Sequence, residues 1–380
     1  MNASSANVSE VSHVKNPAQN QIGSIFNHDI LNFSRKELIG KHLYSGRALG
    51  LTEVNDMIQL NSDLNQEWPF ITAHYERAGL TYTKNVVWDT SYQLLSEFSD
   101  YKPSFSYYGG GEIYNRYTDS NYFNIVRFIN SRNNFIRVAQ DLRLPILKTF
   151  CYEDKDYIMD TSVFPYPCYL KASVATSGLE VRRCENETEL FHALNNFAGD
   201  APLQIQEEVN ALFYINVQYK IKQTKAERFD VTSQLFEDNE LKCNQHPAKY
   251  SCWKLTDKYA EYLYYKGMRG VFSFKVAVIK NNNDIDFRLI ECIPCFSEAS
   301  YASWITKKLG VDQWIEKTFS CNIRSLRQLD LSGIEYKAGS RSGVVLVNWG
   351  PIIVGQISAL VIGTPKQQQI LEEEFNKRIV

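Results

Sequence analysis

Short apolar runs rich in β-forming residues alternate with helical periodicity along the first hundred residues. The apolar positions predict strands over Val54–Leu60 and Leu80–Val87. Helical spacing predicts helices over Asn32–Leu51, Asn65–Gly79 and Ser91–Phe98, the second of them closed by its glycine. This alternation of strand and helix favours an α/β layer built on a mostly parallel sheet.

Three longer β-rich runs in the centre of the chain each carry charge where a packed strand would not favour it. Lys171 follows the first run, Glu207 and Glu208 end the second, and Glu291 ends the third. One such charge alone is typical of a solvated strand end. The three together indicate a site for a charged ligand.

The remaining pattern predicts further helices and one hairpin. A helix over Asn133–Asp141 precedes a proline, and a hairpin is predicted over Ser273–Glu291. Helical segments are predicted over Ala299–Leu309 and Asp312–Thr318. The mixed, polar stretch Glu227–Lys258 supports no assignment.

An uncharged stretch near the C-terminus, Val344–Gly363, has two interpretations. A membrane span would have to accommodate Asn348, Gly350 and Pro351. Two strands around a Pro/Gly turn explain these residues better, so we predict a hairpin, followed by a terminal helix over Pro365–Arg378.

Composition describes an ordinary globular protein without a membrane segment. The chain has 380 residues, 44% hydrophobic and 22% charged, and a net charge of −2, which argues against nucleic acid as the main partner. Residues 1–22 are polar, lack a signal-peptide core and predict a disordered tail. Eight cysteines, mostly beside apolar runs, favour a reducing, cytoplasmic compartment.

Cys292 and Cys295 form the single CxxC pair of the chain. A redox dithiol is one interpretation, and a zinc site completed by Cys243, His246 and Cys252 is another. Two buried structural thiols are the interpretation that we favour.

Several of these elements together resemble the ATP-grasp superfamily between residues 129 and 310. The resemblance is carried by a basic residue ahead of a helix, a Pro-containing strand, a Lys strand with a small-residue loop, a hinge and a terminal Glu–Pro motif. These are Arg132, Leu144–Thr149, Pro167–Gly178, Gln204–Val209 and Ile290–Pro294. The N-terminal half and the C-terminal tail are also similar to pheganomycin-type peptide ligases. The implied fold is an α/β pre-ATP-grasp domain (23–128), a two-lobed ATP-grasp domain (129–320) and a small C-terminal hairpin and helix domain (321–380).

The resemblance implies an ATP-dependent carboxylate–amine ligase that forms an acyl phosphate and uses ATP and magnesium. Its substrates would be small-molecule or peptide carboxylates and amines, and a homodimer is left open. Glu291 would bind the metal, and Arg288 would contact phosphate or the acyl phosphate, although simple alternation places Arg288 on the face of Ile290 rather than Glu291. The implied nucleotide-binding residues are Arg132, Lys171, Ser173, Thr176, Ser177, Gly178, Glu207, Glu208 and Val209. Arg132 and Lys171 would bind phosphates, the loop from Ser173 to Gly178 would close over them, and backbone groups of Glu207–Val209 would contact adenine.

The sequence departs from the family at the metal ligands. The first strand of the last hairpin has no carboxylate over Ser273–Lys275, and the usual Asn is Ile293. Lys275 offers a fixed positive charge in place of one metal, and Asp284 or Asp286 lies further off near the turn. A nucleotide-binding ATP-grasp pseudoenzyme with a regulatory or binding role is therefore the alternative to a working ligase.

Overall fold

The computed structural model describes residues 23–30, 39–106, 120–174, 181–197, 201–222, 224–237 and 240–380. The predicted N-terminal tail lies outside these ranges, as do the loop residues Thr176, Ser177 and Gly178.

A four-stranded sheet with parallel pairing opens the fold, in the order β3-β2-β1-β4. Its strands are β1 (Gly23–Asn27), β2 (Met57–Gln59), β3 (Val86–Val87) and β4 (Tyr101–Phe105). Helix α1 (Trp68–Ala78) ends at Gly79, whose φ of 75° is the left-handed conformation that glycine adopts without strain. The parallel α/β layer and this glycine cap are confirmed, whereas both strands predicted from the apolar runs are shorter than expected.

Two predicted helices are 3-10 helices in the structure. The described part of the first spans Lys41–Leu51, and the other spans Tyr92–Phe98. Gly46 and Gly50 explain the first, because a Cβ at Gly46 would lie 2.9 Å from the Trp349 ring and one at Gly50 would lie 2.6 Å from Ile305. Close packing therefore requires glycines here, and glycine weakens an α-helix.

An eight-stranded sheet in which all neighbouring strands are antiparallel forms the largest part of the fold. Its order is β13-β12-β9-β10-β11-β14-β16-β15. The strands are β9 (Ala211–Lys222), β10 (Lys225–Glu237), β11 (Glu240–His246), β12 (Val271–Asn281), β13 (Asp284–Ile293), β14 (Trp314–Ser320), β15 (Gly343–Leu346) and β16 (Gln356–Ile362). Both predicted hairpins are confirmed as β12–β13 and β15–β16.

The large sheet also shows where the predicted secondary structure was wrong or incomplete. The segment Asp312–Thr318, predicted as helix, lies mainly in strand β14, which pairs with β11 and β16 on its two sides. Its β-branched and aromatic residues fit a pleated surface. The unassigned stretch Glu227–Lys258 contains most of β10, all of β11 and the start of a helix.

A second four-stranded sheet, antiparallel and ordered β5-β8-β6-β7, forms a smaller lobe. Its strands are β5 (Thr149–Tyr152), β6 (Cys168–Ala172), β7 (Arg182–Cys184) and β8 (Leu203–Glu207). The other helices are α2 (Ser120–Ile129), α3 (Arg132–Asp141), α4 (Glu187–Asn195), α5 (Trp253–Tyr265), α6 (Glu298–Leu309) and α7 (Pro365–Ile379). The helices predicted over Asn133–Asp141, Ala299–Leu309 and Pro365–Arg378 are confirmed.

Three large apolar cores accompany the sheets. The first joins the N-terminal segment to the C-terminal strands, with Leu43, Tyr75, Trp349 and Phe375 all fully buried in it. The second packs helices α2, α3 and α5 against the large sheet, and the third fills the small lobe. Among the described residues, no helix is both long and apolar enough to cross a membrane.

Candidate functional site

The start of helix α3 connects the small lobe to β13, an edge strand of the large sheet. The backbone N–H of Arg132 donates to the carbonyl of Ser173 at 2.6 Å. Its guanidinium donates from one terminal nitrogen to the Ala172 carbonyl at 2.8 Å and from Nε to Glu291 Oε2 at 3.0 Å. Arg132 and Glu291, which the resemblance assigned to phosphate and to metal, are therefore direct partners.

Lys171 lies on strand β6, and its ammonium donates to Gln206 Oε1 at 2.7 Å. The pKa of Lys171 is lowered to about 7, mainly by burial. Glu291 opposes this effect, and the positive charges of Arg132 and Lys275 add to it. An additional anion bound beside this lysine would favour its protonated form.

A β-bulge in the β12–β13 hairpin determines which face of the sheet its charged residues occupy. Lys275 lies opposite Glu291 and Ala277 lies opposite Arg288, with a register shift that leaves Ile290 unpaired between them. Arg288 and Glu291 therefore share one face, so the prediction that Arg288 and Glu291 lie on different faces is wrong. Ile290 also packs with Ala277, the partner of Arg288, as the predicted pairing of Arg288 with the face of Ile290 implies. Simple alternation cannot anticipate an inserted residue.

Glu291 is surrounded by cations. Burial alone would raise its pKa, but Arg132, Lys275 and Lys171 outweigh burial and hold the pKa at about 2. Burial lowers the pKa of Lys275 too, and Glu291 and Glu298 oppose that effect. Three cationic side chains thus face one carboxylate, and we call these four residues the cationic cradle. Its surplus of positive charge suits a polyphosphate.

Ser173 follows β6 and is nearly fully buried. Its hydroxyl lies 2.8 Å from Ser131 Oγ and accepts from the backbone N–H of Asn133 at 3.3 Å. Ser173 therefore holds the start of helix α3 against the end of strand β6. The outcome for the rest of the predicted phosphate loop lies outside the described residues.

Two glutamines on strand β8 were missed by the sequence reasoning. Gln206 accepts the Lys171 hydrogen bond and donates to Thr149 Oγ1 at 2.9 Å. Gln204 lies opposite Lys171 in the register, is fully buried, and has a side-chain amide without a hydrogen-bond partner among the described residues. Alternating glutamines inside the apolar run Leu203–Glu207 were the available signal, because buried amides require partners.

The hinge glutamates serve the protein's own structure. Glu207 Oε1 accepts from the backbone N–H of Lys148 at 2.7 Å, and the Glu207 N–H donates to the Lys148 carbonyl at 3.0 Å. Glu208 accepts two hydrogen bonds from Arg183, at 2.7 and 2.6 Å, and one from Tyr169 at 2.8 Å.

The backbone of the hinge is partly committed as well. The N–H of Glu208 donates to the Pro167 carbonyl at 3.0 Å. The Glu207 N–H is also engaged, by the Lys148 carbonyl. Of the three predicted hinge residues, Val209 is therefore the one whose backbone N–H we expect to contact adenine.

A small apolar cluster adjoins the hinge and the β12–β13 hairpin. Leu147, Ala277 and Ile290 are buried in it, and Val209 and Tyr214 pack against them. Apolar surface beside a hinge backbone has the character that a planar base requires, and Ile290 directly precedes the charged Glu291 in the sequence.

The Arg288 side chain makes polar contacts with its own strand β13. Its guanidinium lies 3.3 Å from Asp286 Oδ2 and donates to the Phe287 carbonyl at 3.3 Å. Asp284 pairs with Asn281 at the closed end of the hairpin. These positions keep both aspartates towards the turn, as the sequence indicated.

The donors for a metal ion are sparse in the described part of the chain. No group of three or more His, Cys, Asp or Glu side chains there could hold a metal ion. Glu291 offers one carboxylate, whereas Mg²⁺ is usually bound through one or two carboxylates together with substrate phosphates. Magnesium therefore stays a prediction that rests on Glu291.

The cysteines of the CxxC pair are both buried, and none of the eight cysteines forms a disulfide. Cys295 Sγ donates to the Ser106 carbonyl at 2.9 Å. Burial raises the pKa of Cys295 to about 12 and that of Cys292 well above its usual value. Both thiols therefore remain protonated at neutral pH, as expected for structural thiols.

Known proteins resemble this chain in structure rather than in sequence. No protein-family model and no curated protein matches it. An N5-carboxyaminoimidazole ribonucleotide synthetase in an ADP complex is 12% identical over 93% of this chain and 95% of its own, with a TM-score of 0.57. The synthetase from Thermus thermophilus is 12% identical over 94% and 98%, also with a TM-score of 0.57. An L-amino acid ligase from Bacillus licheniformis is 9% identical over 94% and 97%, with a TM-score of 0.53.

These neighbours are ATP-grasp enzymes, so the chain has a multi-domain, mixed α/β ATP-grasp fold, as the sequence resemblance implied. At these identities the likeness concerns the fold alone. The narrower resemblance to pheganomycin-type peptide ligases and the domain boundaries at residues 23, 129 and 321 stay predictions.

Proposed function

We propose that this protein is an ATP-dependent ligase that joins a carboxylate to an amine through an acyl phosphate. The observation that carries the proposal is the cationic cradle, in which Arg132, Lys171 and Lys275 surround the single carboxylate of Glu291. An excess of fixed positive charge beside an apolar cluster matches a nucleotide, which has a polyphosphate at one end and a base at the other.

The residues divide into a base end and a phosphate end. Val209 and the apolar cluster around Leu147 and Ile290 would hold adenine. Arg132 and Lys171 would neutralise phosphate oxygens, and Lys275 would add charge from the facing strand. ATP would supply the phosphoryl group that activates the carboxylate. Because phosphoryl transfer depends mainly on positioning and electrostatics, fixed cations are the contribution that the protein must make.

The proposed reaction has two steps. A substrate carboxylate oxygen forms a bond to the terminal phosphorus of ATP while the bond to ADP breaks. The amine then forms a bond to the acyl carbon, inorganic phosphate leaves, and the amine loses a proton. The L-amino acid ligase and the carboxyaminoimidazole synthetases among the structural neighbours support a ligase of this general class.

A second candidate function is a nucleotide-binding pseudoenzyme. It is favoured by the Arg132–Glu291 hydrogen bond together with Lys275, a cation that lies directly opposite Glu291. A carboxylate neutralised by protein cations has less capacity to bind a metal ion. The cradle would then bind the nucleotide without turnover.

Calorimetric titration of the full chain with ATP, with and without Mg²⁺, separates these candidates. The variants are Lys171→Ala and the control Lys254→Ala, whose lysine lies on helix α5. Binding that requires Mg²⁺ and Lys171, followed by ADP release with mixed acids and amines, supports the ligase. Binding that requires Lys171 but not Mg²⁺, without ADP release, supports the pseudoenzyme. Unchanged binding in Lys171→Ala contradicts the assignment of the cradle.

A further inference from the structure

A cavity of about 520 Å³ is lined by groups that the proposed nucleotide site does not use. It lies where the 3-10 helix Lys41–Leu51, helix α6 and strands β11, β14 and β16 meet. Its polar lining includes Tyr44, Arg47, Glu298, Glu316 and Asn348. The volume is in the range of small-molecule pockets.

Arg47 provides a cation with an unused donor. Its guanidinium carbon lies 4.6 Å from the centroid of the Tyr301 ring and 5.5 Å from that of Tyr44. Its Nε–H is buried and has no hydrogen-bond partner among the described residues. A buried guanidinium donor without an acceptor is costly, and a ligand carboxylate would satisfy it.

Arg47 is connected to the parallel sheet through Tyr301, whose ring it contacts, and His28. Tyr301 Oη lies 2.9 Å from Nδ1 of His28, which directly follows strand β1. The strand order of the first sheet reverses between β1 and β4, and a crevice at the carboxyl ends of strands at such a reversal is a usual place for ligands. The fold and the unused donor thus indicate the same location.

Two carboxyl groups and an amide oxygen supply acceptors in this cavity. Glu316 Oε2 accepts from the amide of Asn244 at 2.9 Å, and burial raises the pKa of Glu316 to about 8. Glu298 is exposed at the start of helix α6. Asn348 is buried, and its Oδ1 has no hydrogen-bond partner among the described residues. Unused acceptors beside carboxyl groups suit a ligand ammonium group.

The cavity is connected to the cradle through Asn216 and the start of helix α6. Asn216 lies opposite Lys275 in the register, and its Oδ1 accepts from Ser297 Oγ at 3.3 Å, directly before Glu298 in the cavity lining. The charge of Glu298 reaches both places. This carboxylate raises the pKa of Lys275 in the cradle and also that of Glu316 in the cavity. A substrate in the cavity would therefore lie near the phosphate end of the proposed nucleotide site. That position is where an amine must approach an activated carboxylate.

We propose that the cavity is the amine-substrate subsite and that its ligand is a free amino acid, with its carboxylate bound by Arg47 and its amino group bound by Glu316 and Asn348. This inference rests on the proposed ligase function. The two ends of one small zwitterion match the unused donor and the unused acceptors, and a simple amine or a simple acid would satisfy one set only.

Titration of the full chain with individual L-amino acids tests the proposal, in the presence of the β,γ-methylene analogue of ATP. Propionate and ethylamine serve as probes that each lack one end of alanine. We expect at least one amino acid to bind, and both truncated probes to bind about ten- to hundredfold more weakly than alanine or its best-binding relative. We expect Arg47→Met and Glu316→Gln to weaken amino-acid binding. Arg137→Gln and Glu261→Gln, on exposed helix faces, are the matched controls and should leave it unchanged.

The two variants should fail differently. Arg47→Met should remove the preference for the amino acid over ethylamine, and Glu316→Gln should remove the preference over propionate. Titrations at pH 7 in two buffers of different ionisation enthalpy should show proton release on binding in the parent, because an ammonium group favours ionised Glu316, and none in Glu316→Gln. The other charged side chains that line the cavity are Arg47, Glu298, Lys242 and Lys317. Glu298→Gln measures how much the second carboxylate contributes to the proton release.

Equal binding of alanine and the truncated probes would overturn the proposal, as would unchanged affinity in both variants. Asn348→Ala, which keeps both charges, replaces any variant that lowers the melting temperature. If the protein binds the ATP analogue but no amino acid, the subsite is wrong and the ligase proposal stands. If amino acids bind and nucleotides do not, the ligase proposal and the amine-substrate role are wrong, and only the amino-acid site in the cavity stands.

Discussion

Arg132 and Glu291 are 159 residues apart in the chain, and the Nε of the arginine lies 3.0 Å from the Oε2 of the glutamate. The arginine opens helix α3 and the glutamate lies near the end of strand β13, so this hydrogen bond connects the two sides of the candidate site. Because Nε and one terminal nitrogen already donate to Glu291 and Ala172, a phosphate at Arg132 would bind the remaining N–H groups or displace Glu291. In either case the negative charge of Glu291 weakens the attraction between the cations of the cradle and a bound phosphate.

We expect Glu291→Gln to strengthen ATP binding when magnesium is absent. The substitution removes the negative charge that the three cations now neutralise, so more of their charge is available to phosphate. Titration in EDTA should show an affinity several-fold higher than that of the parent, and turnover should be lost if the protein is a ligase. Glu153→Gln, on an exposed ion pair, is the control. Weaker magnesium-free binding in Glu291→Gln would show that Glu291 does not compete for the cations.

The pKa of about 7 for Lys171 predicts that ATP binding weakens as the pH rises. Above pH 7 the free protein loses the Lys171 proton, whereas bound phosphate favours the charged form, so binding must then take up a proton. Between about pH 7 and pH 9 phosphate groups are already ionised, and the logarithm of the association constant should fall by up to about one per pH unit.

Magnesium-free titrations across this range measure the slope. Lys171→Arg is the matched variant, because a guanidinium stays protonated throughout and should abolish most of the slope while retaining binding. A slope of the same size in Lys171→Arg would assign the titration to another group.

The same lysine should lower the stability of the folded protein. Its folded pKa of about 7 lies below the ordinary value of 10.5, so the protonated group opposes folding fully below pH 7, and the effect disappears as the pH approaches 10.5. Lys171→Met should therefore raise the melting temperature at pH 7, by the equivalent of about 1 kcal/mol, although the Gln206 hydrogen bond is lost. Calorimetric melting at pH 7 and pH 10 checks this sign. A melting temperature that falls at pH 7 would mean that the hydrogen bond outweighs the buried charge.

The sequence predicted the site best where one local pattern determines one position. Glu207 ends strand β8 as the apolar pattern predicted. Lys171 and Glu291 lie one and two residues before the ends of β6 and β13, so these two strands extend past the predicted charged ends. The bulge at Ile290 was not predictable, because a register shift depends on the partner strand and changes the face of every residue after it.

Positions set by distant parts of the chain were missed for the same reason. Gln206 became a partner of Lys171 only through the pairing of β6 with β8, and Arg47 acquired its place through Tyr301. Strand β14 was mistaken for a helix because its pairing on both sides, rather than its short local pattern, decides its conformation. Tertiary contacts of this kind leave no periodic signal.

The junction between helix α1 and the C-terminal strands depends on one buried carboxylate. Glu335 is 7% exposed in its side chain, accepts from His74 Nδ1 at 2.6 Å, and accepts from Arg77 at 2.6 and 2.7 Å. His74 Nε2 in turn accepts from the Leu346 N–H at 3.1 Å, so the neutral imidazole connects the helix, the carboxylate and strand β15.

We expect Glu335→Gln to destabilise the protein by roughly 2–4 kcal/mol at pH 7, because it leaves the buried His74 donor and the partly exposed Arg77 guanidinium without a charged acceptor. Burial alone would raise the pKa of Glu335, but the His74 and Arg77 hydrogen bonds outweigh it and hold the pKa at about 2. The stabilisation is therefore complete above the ordinary glutamate value of 4.5 and is lost as the pH falls towards 2. Thermal melting of parent and variant should show a large difference at pH 7 that shrinks steadily below pH 4.5. Glu76→Gln, which removes an exposed ion pair with Lys84 from the same helix, should change stability by less than about 1 kcal/mol. If the two variants melt alike, the buried carboxylate does not hold this junction together, and the apolar core shared by the N- and C-terminal segments must do so alone.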